Sequence, residues 1–233
     1  VALIAALALA IATPLIGDAG FRAGVVRRVR MTIAHPYGMP AATARLEVPF
    51  LRQEHALSCE AAALRMALAY RGVQVAEEEL TGKIGFDPTA RTRTTWGDPD
   101  EAFVGNIDGI IGRTGYGVHA GPIARVAGGY RTAVTITNST PAALATEIAR
   151  GNPVIVWGFV SGRGKLVSWK TLGGKDIRAV DGEHTRVAIG YTGTADAPTG
   201  FFLMDPIYGQ QYWKVDAFMR NWESLGKMGV VVE

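Results

Sequence analysis

The sequence predicts an α+β fold with helices first along the chain and strands second. Three observations carry that expectation. Residues 59–72 read CEAAALRMALAYRG, a run dominated by strong helix formers. From residue 154 onward, short apolar runs alternate with Gly, Asp and Pro, the pattern of strands joined by turns. Of the 233 residues, 48% are apolar and 19% charged, enough for a sizeable core and unlike a disordered chain.

Val1 to Ile16 carry no charge. Residues 1–17 read as a membrane-anchor helix; a signal-peptide core and a helix buried against the protein are the competing readings. The run is short for a complete span of about 20 residues, so the anchor reading supposes that the apolar segment continues before Val1. Residues 18–45 form a basic connector, with Arg22, Arg27, Arg28, Arg30 and Arg45 against Asp18 alone. Such arginines suit anionic headgroups, and their effect on orientation is left open. The folded domain is expected over 46–233. Its first helix follows Ser58 as N-cap, with Glu60 in the first turn and Gly72 as the stop. Residues 76–82 give a second, short helix. Residues 82–120 are glycine-rich, with Trp96, Phe103 and Tyr116 interspersed, and long loops of this kind usually carry function. Thr140-Pro141 opens another helix that ends before Gly151. Strands follow at Val154–Val160, His184–Thr192 and Gly200–Met204. Gln211–Val215 and Lys227–Val232 close the sheet around a short helix, Asp216–Trp222.

Composition excludes several classes. A single cysteine can form neither an internal disulfide nor a multi-thiolate zinc site. Repeat architectures are excluded because no fixed period is present. The net charge of +3 is concentrated in the connector, and residues 46–233 hold 19 basic against 20 acidic residues, so no nucleic-acid partner is expected. No histidine pair has zincin spacing, and neither a metal nor a cofactor is expected.

The chemistry centres on Cys59. At a helix start, backbone amides and the helix dipole favour a thiolate, although a lone cysteine is commonly just a small buried hydrophobe. Gln53, six residues earlier, is an ordinary surface residue or an amide donor to an oxyanion beside the Cys59 N–H. His184 opens one strand and Asp205 closes the next. A hairpin centred in the Thr192–Pro198 turn would set them side by side, either as a surface ion pair or as a carboxylate orienting a catalytic imidazole. His119, in the glycine-rich loop, is a fallback base. His55 lacks an orienting partner, and His35 lies in the connector. Trp96, Tyr116 and His119 are candidate substrate-binding residues walling a groove, unless the rings simply pack over the core.

Gln53, Cys59, His184 and Asp205 occur in the order of papain-like thiol enzymes. The segment VPFLRQEHALSCEAAALRMALAYRG resembles the opening motif of the double-glycine, or bacteriocin-leader, cysteine peptidases of family C39. It is most similar to their stand-alone bacterial C39-like branch. The resemblance continues through WGDPDEAFVGNIDG, GYGVHAGPIA, GNPVIVWGF, GEH at 182–184 and MDP at 204–206, from Val48 to the C-terminus. It implies a papain-like cysteine peptidase fold, N-terminal helices packed on a C-terminal antiparallel sheet. By resemblance Cys59 is the nucleophile, His184 the base, Asp205 the orienting residue and Gln53 the oxyanion donor. The chain has no GxxxxGK[ST] loop, so transporter coupling within it is not expected, and a double-glycine leader is not carried over as substrate.

The expected function is a membrane-tethered, extracytoplasmic cysteine peptidase or amidase using a Cys59–His184 thiolate–imidazolium pair and a thioester. Its partners would be a peptide or protein substrate, membrane lipid through residues 1–17, and other membrane subunits. The alternative is a papain-like domain kept as a binding or structural subunit of a membrane assembly. A third option, acyl transfer, differs only in what resolves the thioester.

Overall fold

The computed structural model describes residues 38–161 and 164–233. The apolar segment, His35 and most of the basic connector lie outside the described residues. Among the described residues, no helix is long and apolar enough to cross a membrane.

The chain enters the fold through β1 (Ala44–Arg45), so the last two connector residues belong to the sheet. Helices α1 (Cys59–Tyr70) and α2 (Glu77–Ile84) follow, and α1 ends two residues before the expected Gly72 stop. The glycine-rich stretch holds β2 (Phe86–Asp87) and β3 (Phe103–Val104), a short parallel pair. Beyond it come α3 (Ala120–Ala127), β4 (Ala133–Ile136), α4 (Pro141–Ala149), β5 (Val154–Phe159), β6 (Leu166–Lys170) and β7 (Asp176–Val180). The chain closes with β8 (Glu183–Gly193), β9 (Pro198–Asp205), β10 (Gly209–Lys214), α5 (Val215–Trp222) and β11 (Gly229–Val232).

The main sheet runs β10-β9-β8-β5-β11-β4, antiparallel throughout, with β1 added to β8. Strand alternation sorts side chains to its two faces. Ile155, Trp157, Val187, Ile189, Phe202 and Met204 pack with α1 and α3. Val154, Val156, Ala188, Leu203 and Val231 pack with α4 and α5 on the other face. The expected picture of helices on a sheet therefore holds for α1–α3, while α4 and α5 add a third layer. Burial on both faces explains why β5 and β8 read as nearly continuous apolar runs.

The β8–β9 register differs from the simple hairpin. Val187 pairs with Met204 and Gly190 with Phe202, with irregularities at Ala188/Gly190 and Thr192/Gly193. Asp205 thus stands beside Arg186, two residues from the expected partner His184. Because the displacement is two residues, the face is conserved and His184 remains a diagonal neighbour.

Candidate active site

Cys59 is the first residue of α1, and the helix's small side chains let it lie directly on the sheet. Ser58 is the N-cap residue, as expected, but its side chain makes no capping hydrogen bond. Its hydroxyl is committed to Glu77 and accepts the His55 N–H at 3.1 Å. From the sheet side, β8 extends beyond the end of β9, leaving its first residues with an open edge. Glu183, the first residue of β8 and next in sequence to His184, sets a carboxyl oxygen within 4.8 Å of the Cys59 sulfur. The start of α1 and the start of β8 therefore meet, 124 positions apart in the chain.

His184 is 2% exposed and its Nε2 lies 3.0 Å from Asp205 Oδ2. Arg186 Nε donates to that same oxygen at 2.9 Å, its guanidinium lies 4.6 Å from the Trp213 ring, and it also donates to the Phe159 carbonyl. Asp205 Oδ1 accepts the N–H groups of Ile207 (2.8 Å) and Tyr208 (3.1 Å). Burial alone would raise the Asp205 carboxyl, but hydrogen bonding to His184 and the charges of His184 and Arg186 hold it at about 2. Burial, reinforced by the Arg186 charge, lowers His184 against the pull of Asp205. The imidazole is thus held neutral with Nε2 committed to the carboxylate, leaving Nδ1 as its other nitrogen.

The thiol departs from expectation. Burial pushes Cys59 well up, and the Glu60 and Glu183 carboxyls push it further; the Thr185 N–H opposes them. Its S–H donates to Glu60 Oε2 at 3.4 Å, and no hydrogen bond links it to His184. Two buried carboxyls and low dielectric outweigh the helix dipole, which carries about half a charge at most. Both shifts favour a neutral thiol and a neutral imidazole over a thiolate–imidazolium pair.

Gln53 lies beside this region, held by its N–H to the Pro206 carbonyl at 3.1 Å. Both N–H groups of its side-chain amide donate to loop carbonyls, His55 at 2.8 Å and Ala56 at 2.9 Å, while Oε1 is buried without a partner. The amide orientation follows from those carbonyls, which only N–H groups can satisfy. Its oxyanion donor role is therefore not formed in this conformation.

His55 has the orienting partner that the sequence did not reveal: its Nδ1 is 3.1 Å from Asp108 at the surface. His119 Nδ1 is 2.7 Å from Asp100 Oδ1, and its Nε2 is buried without a partner. Trp96 and Tyr116 are each 2% exposed; Tyr116 packs edge-on against both Trp96 and Trp169, whose rings are tilted to each other, in one buried aromatic cluster. The physical reason is the β6–β7 hairpin, unforeseen in the sequence, which lays Trp169 over both rings and ties its Nε1 to the Gly97 carbonyl at 2.8 Å. Tyr116 and His119 thus do not wall a groove. Trp96 touches a cleft of about 520 Å³ between Pro88–Arg91 and Gly105–Thr114, with Arg91 and Arg113 in its lining. Near Cys59 and His184, buried Glu60, expected only as a first-turn acid, and buried Glu183 and Arg186 had no role in the chemistry read from the sequence. Each lies directly beside a residue already singled out or one position further along its strand.

With this geometry described, comparison decides the family. The profile of the Peptidase_C39 like family matches residues 45–230. The chain belongs to that family. The peptidase is also 28% identical over 183 residues to the YvpB protein of Bacillus subtilis strain 168, covering 75% of this chain and 68% of that protein. Among solved structures it is similar to a C39-like peptidase from Bacillus anthracis, with a TM-score of 0.70, 25% identity, and coverage of 83% of this chain and 98% of that one. The protein is accordingly a cysteine peptidase, a hydrolase with an α+β fold.

Proposed function

We propose that the peptidase cleaves a peptide bond through Cys59, His184 and Asp205, with a thioester intermediate on Cys59. The supporting observation is the meeting of α1 and β8, which brings the Cys59 sulfur within 4.8 Å of the Glu183 carboxyl, next in sequence to a buried His184–Asp205 pair.

His184 Nδ1 takes the Cys59 proton as the sulfur attacks the substrate carbonyl carbon, and the carbonyl electron pair moves onto oxygen. Collapse of this oxyanion breaks the C–N bond, and His184 returns its proton to the leaving amine. Water then attacks the thioester, His184 accepts the water's proton, and the released sulfur is reprotonated. Asp205, kept ionised, steadies the imidazolium each time it forms. Arg186 anchors the same Asp205 oxygen that His184 meets. For Gln53 to assist, one of its N–H groups must exchange a loop carbonyl for the oxyanion, which the Cys59 N–H would also face. The neutral resting pair makes this general-base chemistry rather than attack by a standing thiolate.

The partner is a peptide or protein, with the Pro88–Thr114 cleft the candidate for residues flanking the cleaved bond. Tethering through residues 1–17 and an extracytoplasmic site complete the proposal; its support is the uncharged run followed by arginines in the sequence.

Digestion of a mixed peptide library, read by mass spectrometry, tests the reading. The wild-type chain should cleave a defined subset, and Cys59→Ala, with unchanged circular dichroism, should cleave none. Equal cleavage by both proteins would refute it.

A further inference from the structure

We propose that Glu60 and Glu183 share one buried proton and act as positioning residues for Cys59, holding the nucleophile as a thiol in the free enzyme. The inference rests on the reading of Cys59 as nucleophile and adds two residues to its control.

The side chains of Glu60 and Glu183 are buried, and the Cys59 sulfur and one carboxyl oxygen from each all lie within 4.8 Å of one another. Glu60 Oε1 accepts the Val118 N–H at 2.6 Å, and Glu60 Oε2 accepts the Cys59 S–H at 3.4 Å. On the sheet side, Glu183 Oε1 accepts the Thr185 hydroxyl at 3.1 Å. Gly117 closes the site, with φ at +138°. A Cβ there would collide with Glu60 Oε1 and lie 2.7 Å from Glu183 Oε2. Backbone without a side chain is what leaves room for both carboxyls.

Two ionised carboxylates at this separation, out of water, repel strongly, so one keeps its proton. Burial pushes Glu60 up to about 7 and Glu183 well above its ordinary range. Other charged or titratable groups acting on the cluster are few. Among the described residues, Arg186 from β8 is the cation acting on Glu183, with His184 pointing to Asp205; from the loop side comes Tyr116, and beyond it Asp100. Arg186 is already paired with Asp205. The field at the sulfur is therefore set mainly by the carboxyl pair, and its negative charge opposes a second one on Cys59. A glutamine pair would preserve volume and hydrogen bonding while removing that charge.

Two measurements on the full chain test the proposal. Difference infrared spectroscopy at about pH 6, below the value to which Glu60 is raised, should show the carbonyl band of a protonated carboxyl. The Glu60→Gln/Glu183→Gln double variant should remove it. Separately, the alkylation rate of Cys59 against pH should give a midpoint at least about one unit lower in the Glu60→Gln/Glu183→Gln double variant than in wild type. A wild-type spectrum without the band overturns the proposal, and so does an unchanged midpoint in the folded variant. If the variants fail to fold, the wild-type spectrum alone decides. Neither readout needs turnover, so cleavage surviving in Cys59→Ala would sink the nucleophile assignment and leave the carboxyl pair standing.

Discussion

Arg186 shows how one side chain can tune a catalytic pair without touching substrate. It shares Asp205 Oδ2 with His184, and its positive charge helps keep the imidazole neutral. Arg186→Gln removes that charge, so His184 should become easier to protonate. The acid limb of the kcat/KM profile should then move to higher pH by roughly one unit. The same change breaks a buried ion pair and should cost about 3–5 kcal/mol in a denaturant titration. A limb that stays in place, with stability lost as expected, would make Arg186 purely structural. Gln53 illustrates a different limit of reading side chains from sequence. Its position before Cys59 was legible, but the commitment of both its N–H groups to the 55–56 turn depends on loop geometry that no spacing encodes.

At the scale of elements, local chemistry was legible wherever it was strong. Thr140-Pro141 does open α4, with Thr140 Oγ1 accepting the Ala143 N–H at 3.1 Å. The strands β5, β8 and β9 lie where apolar runs predicted them, because burial on both faces leaves an unmistakable composition. Helix α3 was missed because Gly121-Pro122 reads as a turn, although Pro is tolerated in a helix's first turn. The β6–β7 hairpin was missed for another reason: in β6 only Trp169 is buried, and charged residues open β7 and break its apolar run. That hairpin decides the fate of Trp96 and Tyr116. Trp169→Ala should destabilise the protein by about 3–5 kcal/mol. It should also open the aromatic cluster, raising the fluorescence quenching of Trp96 by acrylamide. Unchanged stability and quenching would show that the cluster is held by other contacts.

For the whole molecule, the site is also a source of pH-dependent stability. Glu60 rises from an ordinary 4.5 to about 7 on folding, so the folded state holds more protons than the unfolded one across that window. Its stabilising contribution is complete below the unfolded value and is lost as pH rises through about 7. His184, lowered on folding, acts oppositely: its cost appears as pH falls below its ordinary 6.5. Thermal unfolding from about pH 6 to pH 8 should therefore show a decline in Tm for wild type that is smaller in the Glu60→Gln/Glu183→Gln variant. Parallel profiles would mean that the pair does not titrate on unfolding. The order Gln, Cys, His, Asp made the meeting of distant chain segments legible in the sequence. The electrostatics at the meeting point were not, because they arise from Glu60, Glu183 and Arg186 losing water together.

The central claim, that Cys59 carries the acyl group during turnover, is tested most directly by rapid acid quench of the enzyme with a cleaved library peptide, followed by intact-mass and peptide-level mass spectrometry. The account predicts an adduct equal to the acyl fragment, localised to Cys59 and absent in His184→Ala. Continued turnover with an adduct on another residue, or with no adduct and no dependence on Cys59, would contradict it.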